Sequence, residues 1–224
     1  MYSHIQCVEL LDVNMMEAIN HAGQSNKTFA AKDSLFFKFQ GSVSSIKETS
    51  ELVNKIVKRH GSTRFDFAKN FEEAEDLWHH RKVALWSTMA WVGDERARIW
   101  TTDVCVPPSK LPQLVAETKA DIDEQGIISC VLGHVGDGNF HALLAFRDEK
   151  ELVKVKDLVH RLVHRAILLD GTCTGEHGVG IGKKEYLAEE LGEGTVRLMR
   201  AVKRAVDPMD LLNPGKLYPE NNEK

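Results

Sequence analysis

Cysteine is scarce in this chain. Cys7, Cys105, Cys130 and Cys173 stand far apart, and no Cys-x-x-Cys pair occurs. That argues against a thiolate zinc site, and such sparse usage suits a reducing compartment. No apolar run approaches the roughly 20 residues that a membrane-spanning helix needs. Positive charge is not in excess either: 29 Lys and Arg stand against 33 Asp and Glu, for a formal charge of −4. With no basic stripe interleaved with aromatics, there is no electrostatic case for nucleic acid as a partner. Low-complexity linkers are missing, so residues 1–224 read as one domain with a sizeable core. No signal peptide or Arg/Ser-rich transit segment opens the chain. Met1-Tyr2-Ser3-His4 runs almost at once into a strand-like segment at 7–11, so the chain is expected to be missing what precedes it.

What remains is an ordinary globular composition, 42% hydrophobic and 28% charged. Alternation and aromatic content predict strands at 6–11, 34–40, 64–68 and 98–106. Apolar stripes at helical spacing predict helices at 15–22, 44–59, 71–89, 110–125, 149–169 and 195–206. Asp12 or Asn14 caps the first helix, and Gly23, Gly126 and Gly171 read as stops. Residues 209–219 read as loop, and 220–224 as a frayed end. The order of elements predicts an α+β fold, two related ferredoxin-like halves sharing an antiparallel sheet with helices stacked on one face.

The densest chemistry lies at Gly133-His134-Val135-Gly136-Asp137-Gly138-Asn139-Phe140-His141. Gly136 and Gly138 would each cost about 1 kcal/mol inside a helix, so a hairpin is predicted instead, with strands at 127–132 and 140–146. The two imidazoles then converge from opposing strand ends. Gly175-Glu176-His177-Gly178-Val179-Gly180 adds a carboxylate and a third imidazole. Two histidines and one carboxylate would leave coordination positions open, as catalysis requires. On an extended segment Glu176 and His177 point opposite ways, one to a metal and one to a substrate. Taken alone, each pair also fits exposed loop residues. The glycines before Lys183-Lys184 fail as a phosphate loop, because His177 and Lys184 stand where Gly and Ser or Thr are required. Arg81, in Trp78-His79-His80-Arg81, suits a bidentate grip on a carboxylate or a plain solvated helix position.

Three ordered motifs, 133–141, 175–180 and Asp-Pro-x-x-Leu-x-Asn-Pro-Gly-Lys at 207–216, resemble the C-terminal region of FAD-linked oxidases, the vanillyl-alcohol-oxidase-like flavoproteins. Within that group the chain looks most like the mitochondrial D-lactate dehydrogenase (cytochrome) branch. The D-2-hydroxyglutarate dehydrogenases and glycolate oxidase flavin subunits share the motifs. The resemblance implies a cap domain for a small 2-hydroxy acid. In it His134, His141 and Glu176 bind a divalent metal, Zn or Mn, and His177 is the catalytic base. Arg81 would bind substrate carboxylate, and Asn213 and Lys216, in the tail 207–219, would contact FAD. It further implies an N-terminal FAD-binding domain that this chain lacks, cytochrome c as electron acceptor, and a mitochondrial location. Leu143 stands where the 2-hydroxyglutarate enzymes carry Asn for a second carboxylate, which points to a monocarboxylate.

Overall fold

The computed structural model describes residues 4–23 and 28–219. The expected fraying at 220–224 lies outside the described residues. Strand β1 (Ile5–Leu11) leads into helix α1 (Val13–Ala22), with Gly23 in the left-handed conformation at its end. Asp12 is the cap: its carboxylate accepts from the Met15 N–H at 2.8 Å and from the Val131 N–H at 3.0 Å, stitching the helix start onto the sheet. Strand β2 (Ser34–Phe39) and helix α2 (Val43–Arg59) follow.

The expected strand at 64–68 is absent. Its aromatics pack as rings instead, Phe67 stacking on Phe39 with centroids 5.8 Å apart, so the segment is held by side chains rather than by a ladder. The expected long helix at 71–89 is two helices, α3 (Phe71–Lys82) and α4 (Ala84–Val92), parted at Val83. Each half answers to a different partner: Arg81 reaches β1, while Ala84 packs among the α1 side chains Met15, Met16 and Ile19.

Strand β3 (Arg98–Thr101) and the short strand β4 (Val104–Cys105) replace the continuous strand expected at 98–106. Both pair with the same later strand, and Thr102 and Asp103 fill the interruption. Helix α5 (Leu111–Gln125), strands β5 (Ser129–His134) and β6 (Asn139–Phe146), and helix α6 (Glu149–Leu168) complete the second half. The residue with positive φ after α6 is Asp170, not Gly171. Gly171 is needed for space, since a Cβ there would lie 2.4 Å from the Cys105 carbonyl oxygen. A short helix α7 (Leu187–Leu191) and helix α8 (Glu193–Val206) precede the tail.

The sheet is antiparallel with order β2-β1-β5-β6-β3, and β4 also on β6. Its helices lie on both faces rather than one. Residues directly opposite in an antiparallel pair share a face. Leu11, Cys130, Leu132 and Leu143 therefore face one way, into a core with α1 and α4. Val131, Phe140, Ala142 and Leu144 face the other way, into the larger core with α5 and α6. Strands buried on both faces read as near-continuous apolar runs, as Ser129–His134 and Asn139–Phe146 do.

Candidate metal and substrate site

Period-two geometry carries the α1 face of the sheet past its apolar core to one strand end. There Glu9 lies opposite His134, and His141 lies opposite Leu132. The hairpin turn is a 3-10 turn, Val135–Asp137, closed by Gly138 at φ 74°. A side chain at Gly138 would collide with the Val106 carbonyl oxygen, 1.9 Å from an added Cβ, so only glycine lets the hairpin seat here.

His134, His141 and Glu176 come together as expected, with one ligand atom of each within 4.8 Å of the others. The Glu176 carboxylate Oε1 is 3.4 Å from His134 Nε2 and 3.1 Å from His141 Nε2. Hydrogen bonds fix both rings. His134 Nδ1 lies 2.8 Å from Glu9 Oε1, and His141 Nδ1 lies 2.9 Å from the Thr102 carbonyl oxygen. Both partners accept only, so each Nδ1 carries the proton and each Nε2 turns a lone pair toward Glu176. Two imidazole lone pairs and a carboxylate oxygen aimed at one point are a donor set that could hold a divalent cation, and each imidazole is braced through its far nitrogen as metal-bound histidines are. Burial lowers the pKa of His141, keeping the ring neutral and available as a ligand.

His177 stands beside this group. Its side chain is 59% exposed, with Nε2 3.8 Å from Glu176 Oε1. The two neighbours do not point opposite ways, because the segment is not extended. It curls around Asp103, whose carboxylate accepts from the backbone N–H groups of Gly175, Glu176 and His177 at 3.0–3.2 Å. Thr174 Oγ1, Asn139 Nδ2 and Lys183 Nζ donate to the same carboxylate. Burial alone would raise the pKa of Asp103, but these donors together hold it well below the usual carboxylate range. Asp103 also stands near His141 and His177 with metal-compatible spacing. Its oxygens are occupied by donors, however, which makes it an anchor for the loop rather than an open ligand.

Arg81 is not the solvated helix residue that composition allows. It donates from Nε to Glu9 Oε2 at 2.7 Å, and its Nη2 is 3.4 Å from His134 Nε2. Glu9, only 5% exposed, therefore joins Arg81 to His134. Glu9, Asp103 and Lys183 are absent from the set expected of the sequence. A charged Glu9 on the same strand face as buried Leu11 is the signal that finds the first of them. Asn213 and Lys216 do not reach the cluster. Both lie on the exposed tail, where Lys216 Nζ donates to Asn213 Oδ1, and the tail is tied by Leu217 N–H to the Gly180 carbonyl just beyond the His177 loop.

Residues 3–217 match the family described as FAD linked oxidases, C-terminal domain. The chain belongs to this family. Among curated relatives, the chain is 44% identical over 96% of its length to D-lactate dehydrogenase (cytochrome) 1, mitochondrial, of Saccharomyces cerevisiae. It is also 44% identical to the corresponding mitochondrial protein of Kluyveromyces lactis. This domain spans 37% and 38% of those two relatives, respectively. Among solved structures, 4-ethylphenol oxidase from Gulosibacter chungangensis matches with a TM-score of 0.69 at 16% identity, covering 96% of this chain and 48% of that one. At that identity the likeness concerns the fold: an α+β domain built on an antiparallel sheet.

Proposed function

We propose that the chain is the substrate- and metal-binding part of an FAD-dependent dehydrogenase that oxidises D-lactate to pyruvate and passes electrons to cytochrome c in mitochondria. The observation that carries this reading is the convergence of His134 Nε2, His141 Nε2 and a Glu176 oxygen beside an exposed imidazole, His177, and a half-buried guanidinium, Arg81. A divalent ion such as Zn or Mn held by the three ligands would supply Lewis-acid polarisation of the substrate's oxygens. FAD, bound mainly by a domain outside this chain and touched by Asn213 and Lys216, would supply the hydride acceptor.

The chain's own residues do the rest. Arg81 orients the substrate carboxylate, with Glu9 holding the guanidinium toward His134. His177 Nε2 takes the proton of the substrate hydroxyl, a task suited to an imidazole near neutral pH. Asp103 keeps His177 and Glu176 on the same side of their loop by binding three consecutive N–H groups. Leu143, two residues beyond His141, is buried among Cys130 and Leu132 and offers no polar group for a second carboxylate, which favours a small monocarboxylate over a dicarboxylate.

The test is a substrate panel on the full-length enzyme with an artificial electron acceptor. D-Lactate should give the highest kcat/KM. A preference for glycolate or D-2-hydroxyglutarate of tenfold or more, about 1.4 kcal/mol in transition-state binding, would overturn the assignment.

A further inference from the structure

A second group of imidazoles lies on α6, and none of its residues belongs to the cluster at the strand ends. His160 and His164 are four apart on the helix, so their side chains share one flank. That flank faces α7 and the turn before it. Each ring is held by its Nδ1: His164 Nδ1 lies 2.6 Å from Glu189 Oε1, and His160 Nδ1 lies 3.3 Å from the Tyr186 hydroxyl. The two Nε2 atoms face each other at 2.8 Å, with the rings nearly perpendicular at 84°.

The carboxylate of Glu189 only accepts, so His164 Nδ1 carries the proton and its Nε2 presents a lone pair. Where His160 Nδ1 likewise donates to the Tyr186 oxygen, a second lone pair meets the first. A single proton shared between the two Nε2 atoms closes this 2.8 Å contact, and a metal ion can take the place of that proton. We infer that His160 and His164 form a second divalent-metal site, which takes a borderline transition ion of the Zn2+ class between their Nε2 atoms. Imidazole nitrogens suit zinc, and bonds of about 2.0–2.1 Å at a tetrahedral angle would separate the two nitrogens by about 3.3 Å. A small ring rotation supplies the difference. The Glu189 contact is the carboxylate brace that metal-bound histidines use to fix tautomer and orientation. Water would fill the remaining positions, since the side chains of His164 and Glu189 are 35% and 41% exposed.

The experiment is a Zn2+ titration by calorimetry of the chain carrying His141→Ala, which removes the one ligand common to the His134/His141/Glu176 and Asp103/His141/His177 groups at the strand ends. One equivalent of zinc should still bind. Adding His164→Gln should abolish that equivalent, and His160→Gln, on the same exposed flank, should do the same. Adding Glu189→Gln should weaken the binding about 10- to 100-fold, the usual cost of removing such a brace. No residual zinc in the His141→Ala chain, or residual zinc that survives both His164→Gln and His160→Gln, would overturn the inference. Neither outcome depends on whether the strand-end cluster binds metal.

Discussion

Asp103→Asn is the sharpest perturbation available. The Asp103 side chain is 2% exposed and accepts from three consecutive backbone N–H groups, a hydroxyl, an amide and the Lys183 ammonium. Hydrogen bonds to a charged group contribute about 1.5–3 kcal/mol each, and they do not add. Breaking a buried ion pair by removing one partner costs about 3–5 kcal/mol. Asparagine keeps the shape and one acceptor, so the lower end, about 3 kcal/mol, is expected. For a chain of this size each 1 kcal/mol moves Tm by about 2–4 °C, so circular dichroism should record a fall of about 6–12 °C. Zinc affinity should drop as well, because Glu176 is released with the loop. Lys183→Met in the Asn background should recover part of the loss, giving a coupling of about 1 kcal/mol or more. The pH dependence follows from the depressed pKa of Asp103. Its contribution is complete above the ordinary carboxylate pKa of about 4 and drains away as pH falls through the lower folded value. The gap between parent and variant should therefore narrow on acidification toward about pH 3. A Tm change under about 2 °C with unchanged zinc affinity would refute the anchoring argument.

Arg81→Lys in the complete enzyme should raise KM for D-lactate strongly, because an ammonium cannot reproduce the planar fork; unchanged kinetics would remove Arg81 from the substrate site. Added Zn2+ at about 100 times its Kd should stabilise the chain by about 2.7 kcal/mol through linkage, and His134→Ala should remove the part that the strand-end cluster supplies, as read by thermal shift. Glu9→Gln should cost zinc affinity about 10- to 100-fold, since it loosens the brace on His134; equal affinities by calorimetry would show that Glu9 is not a brace. This 224-residue chain on its own should be colourless and inactive toward D-lactate, because no side chain can accept a hydride; a yellow preparation with turnover would place the flavin site within this chain.

The hairpin and its two histidines are legible in the sequence because their signals are local: glycines that no helix tolerates, set between two apolar runs; the turn itself falls at Val135–Gly138, with Asn139 already in β6. Glu176 is legible for the same reason. Asp103 is not, because a strand pattern running from Arg98 to Val106 hides the two-residue interruption that turns it inward. Only β6, laddered to both β3 and β4, makes that break visible. Glu9 is masked by apolar neighbours, and its partner Arg81 lies 72 residues away, so no local window contains the pair. The parting of α3 and α4 at Val83 is equally non-local. Neither Gly nor Pro marks it, and it follows from which neighbours each half meets. Helices on both faces of the sheet, by contrast, could be read from the unbroken apolar runs of β5 and β6.

The span of the braces also sets an order of assembly. Glu9 meets His134 across 125 residues, and Asp103 meets the His177 amide across 74. Contacts of such long sequence separation form late, after shorter loops have closed. During synthesis the hairpin can form before Glu176 has left the ribosome, but the third ligand and the Asp103 clasp cannot. Any metal taken up by all three ligands at the strand ends would have to wait for the Glu176 loop to close, and the rate at which zinc protects the refolding chain would time the closing of its longest loops.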